Sequence, residues 1–348
     1  MTARRVLVAR LDSDGDVLLS GPAIRAVKAG GTHVTLLVGP RGRAAAALLP
    51  GVDEILVWHC PWIDAEPHQV TRADVEAFVD RLERGRYDEA LVLTSYHQSS
   101  LPLALLLRMA GVRRIGAASE DYPGSLLDVR HRLPEKGLHE VERACSTAAA
   151  LGYRLPPGDD GRLAVRRPLP DPTPLTGPGP YVVVHPGASV PARAWDPARS
   201  AALVDALVAA GHRVVVTGGP AEHALTGRVA HGVAVDLGGR TDLAGLAGAL
   251  ARARAVVVGN TGPAHLAAAV GTPVVSLFAP TVPVERWAPY TPDRIVLGDL
   301  SIGCAGCRAR ACPVAGHPCL SRIDVQEVLA AVQTVVPRPR SHDPVVVR

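Results

Sequence analysis

Short, nearly unbroken apolar runs recur along the chain, separated by Ala-, Leu- and Arg-rich stretches of helical character. VLVA (6–9), HVTLLV (33–38), EILVW (54–58), EALVLT (89–94) and a weaker RRIGA (113–117) lack the polar alternation of a half-exposed strand. They predict strands buried on both faces, and therefore a parallel sheet flanked by helices. Those helices are expected at SGPAIRAVK (20–28), ADVEAFVDRLERG (73–85) and PLALLLRMAG (102–111). The alternation restarts at YVVVHPG (181–187). It continues through SAALVDALVAAG (200–211), HRVVVTGG (212–219), DLAGLAGALARA (242–253), AVVVGN (255–260), PAHLAAAVG (263–271) and TPVVSLFAP (272–280). Between the two series lies RRPLPDPTPLTGPGP (166–180), with six prolines in its last thirteen residues. Such a stretch reads as extended linker. The predicted class is α/β, with a first unit at 1–165, a linker at 166–180 and a second unit at 181–322. A closing helix (DVQEVLAAVQTVV, 324–336) and a flexible tail occupy 323–348.

Composition narrows this picture modestly. The 348 residues suffice for two domains. Hydrophobic residues make up 47% and charged residues 20%, as in ordinary globular chains. The net charge of +4 is spread along the sequence rather than gathered on one basic stretch, which speaks against nucleic acid as a partner. No run of about 20 apolar residues occurs, so no spanning helix is expected and any membrane contact would be peripheral. Asp12, Asp14 and Asp16 interrupt what would be the apolar part of a signal peptide, which points to a cytoplasmic protein with reduced thiols.

Candidate chemistry sits after the strands. HPGASVPARAW (185–195), TGGPAEH (217–223) and GNTGPAHLA (259–267) follow three successive strands of the second unit. Small residues let a ligand approach the backbone, and helix N-termini present N–H groups to anions. Ser189, Arg193, Thr261 and Gly262 would face a phosphate group there. Any one of these loops alone reads better as an ordinary turn or cap. All three together favour a nucleotide diphosphate. Neither G-x-G-x-x-G nor G-x-x-x-x-G-K-[ST] occurs, which removes the main support for dehydrogenase and P-loop readings. In the first unit, LDSDGDV places Asp12, Asp14 and Asp16 within five residues. A calcium loop is excluded, because Gly15 precedes the third acid and Ala23 stands at the twelfth position.

VLVARLDSDGDVLLSGPAIRAVK, HPGASVPARAWDP and GNTGPAHLAAAVGTPVVSLFAPT together resemble the three motifs of glycosyltransferase family 9, which includes the ADP-heptose:lipopolysaccharide heptosyltransferases. The resemblance runs from about Val6 to Val332. It implies a GT-B fold: two Rossmann-like domains, the acceptor mainly on the first and the sugar nucleotide mainly on the second. It also implies an inverting transfer with no cofactor and no catalytic metal. Carried over by position, Asp16 is the general base and Arg193 lies beside the donor phosphates. Glu222 holds the ribose hydroxyls and Thr241 lines the adenine pocket. Thr261 and Gly262 meet the phosphates, with His265 one turn later. The family usually has Asp-Thr-Gly where this chain has Asn260-Thr261-Gly262. Asparagine can hydrogen-bond a sugar hydroxyl but brings no charge.

The implied partners are a nucleotide sugar, ADP-heptose favoured, and a sugar-bearing acceptor. Asp14, Trp62 and His97 are the acceptor-side candidates, from the segments around 59–68 and 94–100. A nucleotide-sugar epimerase and a non-catalytic nucleotide-sugar binder are the alternatives. An epimerase needs no acceptor, and the intact Asp16 speaks against a mere binder. His185, at a strand end, reads as structural. His265 reads equally as structural or donor-facing. Cys304, Cys307, Cys312 and Cys319 have metal-ligand spacing, with His317 among them. A structural zinc, free thiols and disulfides are the three readings, and disulfides are disfavoured in a reducing compartment.

Overall fold

The computed structural model describes residues 3–95, 97–134 and 137–336; the tail expected to be flexible lies mostly outside them. Two six-stranded parallel sheets form the frame. The first contains β1 (Arg5–Arg10), β2 (His33–Val38), β3 (Glu54–Val57), β4 (Glu89–Val92), β5 (Arg114–Ala118) and β6 (Val129–His131) in the order 3-2-1-4-5-6. The second contains β7 (Val182–His185), β8 (Val214–Val216), β9 (Val235–Asp236), β10 (Ala255–Gly259), β11 (Val274–Leu277) and β12 (Arg294–Leu297). Its order, 12-11-10-7-8-9, is the same winding read from the other edge. This is the two-domain GT-B architecture. Each sheet reverses its direction of winding at one place, between β1 and β4 and between β7 and β10. Ligands bind at such switch points in open α/β sheets.

The central strands are buried on both faces, as their apolar runs require. Val6 and Val8 of β1 enter the inner core, while Leu7 and Ala9 enter a separate core on the opposite face. The inner core is continuous between the units. It joins Val17, Leu18 and Ile24 of the first to Ala264, Leu266 and Val256 of the second. The helices of the first unit are α1 (Asp14–Leu19), α2 (Gly21–Ala29), α3 (Arg43–Leu48), α4 (Arg72–Gly85), α5 (Leu101–Met109) and α6 (Glu140–Ala150). A short α7 (Thr173–Thr176) follows, then α8 (Pro197–Ala209), α9 (His223–Ala230), α10 (Leu243–Arg252), α11 (Gly262–Val270), α12 (Val284–Trp287), α13 (Pro318–Ser321) and α14 (Val325–Val335). The closing helix α14 packs on α8 and on the strands of the second unit.

One expectation needs correction. The proline-rich stretch is not wholly extended, because α7 forms within it. Pro172 precedes that helical turn and Pro174 lies at its start, where a missing N–H costs no helical bond. Of the three aspartates, Asp12 stays in the turn after β1, while Asp14 and Asp16 lie in the first turn of α1, where acids favour the helix dipole.

Two contacts hold the units face to face at their switch points. A β-carbon built on Gly15 of α1 would lie 3.2 Å from the Gly262 Cα and 3.3 Å from His265 Cδ2, so α1 and α11 meet almost backbone to backbone. His139 caps α6 by accepting the Val141 N–H at Nδ1, and its Nε2–H then donates to the Ala288 carbonyl at 2.8 Å. The linker is fixed as well, with the Pro170 carbonyl set directly against Gly248 of α10. Among the described residues no helix is long and apolar enough to cross a membrane. Gly248→Ala drives a methyl group into that carbonyl. A loss of about 1–3 kcal/mol of stability is expected, in the range for overpacking, and denaturant unfolding measures it.

Candidate active site

Arg10 ends β1 as a charged residue on an otherwise apolar strand and is 2% exposed. Its Nε meets Asp12 Oδ2 at 2.9 Å, and its Nη2 donates to Asp16 Oδ1 at 3.1 Å and to Ser95 Oγ at 2.6 Å. Glu140 of α6 stands 3.7 Å away. Ser13, just before α1, donates to Asp16 Oδ2 at 3.1 Å. The three aspartates thus part company. Asp16 faces the cleft. Asp12 is largely shielded, accepts from Gln98 and Ser95, and forms an ion pair with Arg10; burial raises its pKa above the usual carboxylate range despite that pairing. Asp14 turns the other way, and its carboxylate accepts the Ala45 N–H of α3 at 2.9 Å. Asp14 therefore joins α1 to α3, and it lines neither of the two cavities described below.

The second unit contributes three turns. After β7, Arg193 closes a 3₁₀ turn and donates from Nε to Thr281 Oγ1 at 3.2 Å. After β10, Thr261 precedes α11 with its hydroxyl unused as a cap. Its N–H is bonded to the Gly259 carbonyl at 2.9 Å and does not point at a ligand as expected. The Asn260 amide donates to the Ala279 carbonyl and accepts the Ala279 N–H, both at 3.1 Å, so Asn260 braces the turn after β11 while it also lines the cavity between the units. An aspartate could accept one of these bonds but not donate the other. That is a physical reason for asparagine at this position.

His265 is buried one turn into α11. Burial first, then the neighbouring His139 and Arg193, hold its imidazole down to about 4, so it is neutral near pH 7. Its Nδ1 has no hydrogen-bond partner. His185, by contrast, uses its Nδ1 on Thr217 at 2.9 Å.

These groups converge on a cavity of about 200 Å³ between the units. Asp16, Ser189, Arg193, Thr261, Gly262 and His265 line it, with Trp287 closing one side. A second cavity, about 530 Å³, opens on the first unit and shares Ser95 with it. His97 lies on that cavity, together with Arg143 and Arg286, but Trp62 does not; it packs edge-on against Trp58 at 5.2 Å. Glu222 and Thr241 also lie outside the smaller cavity. The Glu222 carboxylate accepts the Gly219 N–H at 2.7 Å and rests against Gly187, at the ends of β7 and β8. Arg10, Ser95 and Thr281 were missed from sequence. For Arg10 there was a signal, a charge ending a continuous apolar strand. The other two are brought in only by the fold.

The cysteine loop forms an outer wall of the donor side. Gly306 N–H donates to Pro280 O at 2.6 Å and Arg308 N–H to Thr281 O at 3.0 Å. The Ala192 N–H donates to Arg310 O at 3.0 Å, and His317 Nε2 lies 3.1 Å from Ala192 O. Cys304, Cys307, Cys312 and Cys319 line one small apolar cavity there, and all are free thiols. Burial, then the neighbouring thiols, push Cys319 up to about 11. Among the described residues no three His, Cys, Asp or Glu side chains are arranged to hold an ion.

The model of glycosyltransferase family 9 (heptosyltransferase) matches residues 75–317. The chain belongs to glycosyltransferase family 9. Lipopolysaccharide heptosyltransferase 1 of Pseudomonas aeruginosa is 30% identical over 336 residues, covering 88% of this chain and 87% of that protein. Among solved structures, a family 9 glycosyltransferase from Veillonella parvula superposes with a TM-score of 0.76 at 19% identity, covering 96% and 97% of the two chains. An Escherichia coli heptosyltransferase solved with ADP-2-deoxy-2-fluoro heptose gives 0.70 at 23% identity, covering 95% and 99%. At those identities the structures attest the fold, while the family model and the Pseudomonas relative attest the glycosyltransferase.

Gly15→Ala in this glycosyltransferase wedges a methyl between α1 and α11. ADP affinity is expected to fall by about tenfold or more, the size of a 1–3 kcal/mol overpacking cost, with calorimetric titration as the check. Asn260→Asp keeps the Ala279 N–H bond but sets a buried carboxylate against the Ala279 carbonyl. The folded state then favours the protonated acid, so the thermal midpoint should be lowered at pH 7 and recover as pH falls towards about 4.

Proposed function

We propose that this glycosyltransferase moves a heptosyl group from ADP-heptose to a hydroxyl of a saccharide acceptor of the lipopolysaccharide-core kind, with inversion and without a metal. One observation carries the reading: Asp16 of the first unit and Arg193 with the start of α11 from the second face one cavity. Asp16 takes the acceptor hydroxyl proton as its oxygen forms the bond to the anomeric carbon. The bond from that carbon to the diphosphate breaks, and the electron pair leaves with ADP. Arg193 meets the growing charge with a guanidinium fork suited to a diphosphate. The Thr261 hydroxyl and the neutral His265 supply hydrogen bonds that do not compete with that charge. Attack from the side opposite ADP inverts the centre. The acceptor enters through the larger cavity, whose lining of Ser95, Gln98, Ser99, Ser100 and Ser119 suits a polyhydroxylated ligand.

On this reading residues 1–165 present the acceptor and 181–322 the donor, with Glu222 towards the ribose and Thr241 towards the adenine. The ADP-heptose assignment draws on the solved relative bound to a fluorinated ADP-heptose and on the curated lipopolysaccharide heptosyltransferase. The place of action is the cytoplasm. An epimerase is disfavoured: its likeness, at 8% identity, extends to the fold alone.

Asp16→Asn should lower kcat by about 10²–10⁴ while ADP still raises the melting temperature. Near-wild-type turnover in that variant would remove Asp16 as base. Proton NMR of the product fixes the anomeric configuration, and retention would sink the single displacement.

A further inference from the structure

We propose that Arg10 is a positioning residue for the reaction: it fixes the Asp16 carboxylate at the cavity and keeps two shielded carboxylates from displacing it. The inference rests on Asp16 being the base. Asp16 has one oxygen on Arg10 Nη2 at 3.1 Å and the other on Ser13 Oγ at 3.1 Å, so both the direction and the rotation of the carboxylate are set. Arg10 is held in turn, because its Nε stands 2.9 Å from the Asp12 carboxylate and its Nη2 also donates to Ser95 at 2.6 Å. It projects from the end of β1, the strand that pairs with both β2 and β4 at the switch point. The side chain is 3% exposed, so water does not screen these pairs.

The charges around Asp16 explain why such a clamp is needed. Asp12 on the β1–α1 turn and Glu140 on α6 are both shielded acids close enough to act on it, and Glu140 is also paired with Arg143 at 3.1 Å. From the second unit, Arg193 and His265 face it. Without Arg10, Asp12 and Asp16 would face each other with no guanidinium between them, since Arg143 and Arg286 act on Glu140 and Arg193 reaches Asp16 from the second unit. A planar fork serves Asp12, Asp16 and Ser95 at once; a lysine ammonium offers one point of charge. Ser95, which also lines the acceptor cavity, carries the same clamp to the side where the acceptor arrives.

The test uses full-length enzyme and follows ADP release from ADP-heptose, with deacylated, heptose-free lipopolysaccharide as acceptor, across pH 5.5–9. Arg10→Met removes the positive partner. The acidic limb of the kcat profile should move up by about one unit, lowering kcat at pH 7 about tenfold with part of it regained at high pH. The KM for ADP-heptose should change less than about twofold, because Arg10 does not line the donor cavity. Arg10→Lys should restore part of the loss. Asp12→Asn removes a like charge while keeping the side-chain shape, and should move the limb in the opposite direction, downwards. That opposite sign carries the test even if Arg10→Met fails to fold. A merely structural Arg10 would give variants whose profiles keep their limb and fall by one factor at every pH, and that result overturns the inference. An unmoved limb in Asp12→Asn overturns it too. Asp16→Asn, assayed alongside, separates the two claims: if it stays active the base assignment falls, whereas if it is inactive and the limbs do not move only the role of Arg10 falls.

Discussion

The near-contact of Gly15 with Gly262 is the constraint on which the site depends. Two units with the same winding present their switch points to each other, but that alone leaves them a side chain's width apart. Glycine at position 15 lets α1 and α11 approach almost backbone to backbone. The approach brings Asp16, one residue after Gly15, within the same cavity as Thr261 and His265. Any larger residue at position 15 would widen the gap over which a proton acceptor and a leaving diphosphate must work on one carbon.

Around that contact the charges are sorted by unit. The first unit holds a buried cluster in which the guanidiniums of Arg10 and Arg143 face Asp12, Asp16 and Glu140. Burial pushes Asp12 and Glu140 above the ordinary carboxylate range, and Arg10 pulls back against it. The second unit offers Arg193, a hydroxyl and a neutral imidazole, and no carboxylate in the cavity. The carboxylate on this cavity therefore comes from the first unit and the cation from the second. Asn260 belongs to the same logic, because an amide closes the Ala279 turn without adding negative charge beside a diphosphate.

Much of this was legible in the chain. Unbroken apolar runs such as VLVA and AVVVG mark strands buried on both faces, so both sheets could be read, and small-residue loops after β7 and β10 marked the donor side. What escaped is what depends on long-range packing. The edge strands β6, β9 and β12 are short and carry polar residues, so they give little periodic signal. The turn LDSDGDV hides a helix because its acids look like a ligand set. Asp14 could be separated from Asp16 only by finding Ala45 against it, thirty-one positions on. Asn260 also bonds Ala279, just past the end of β11, which the motif alone does not show. The cysteine spacing gave no hint that the loop also braces the turns carrying Arg193 and Thr281.

The indole that closes one side of the donor cavity gives the molecule a reporter of its own. Of the four tryptophans, Trp287 alone lines that cavity. Trp58 is stacked on Phe78 and braced by Trp62 on the far face of the first sheet, and Trp195 is buried beneath the second. Three emitters thus sit in fixed surroundings, while the fourth exchanges water for ligand whenever the site fills. Occupancy of this enzyme can be followed by its own fluorescence, with no label attached.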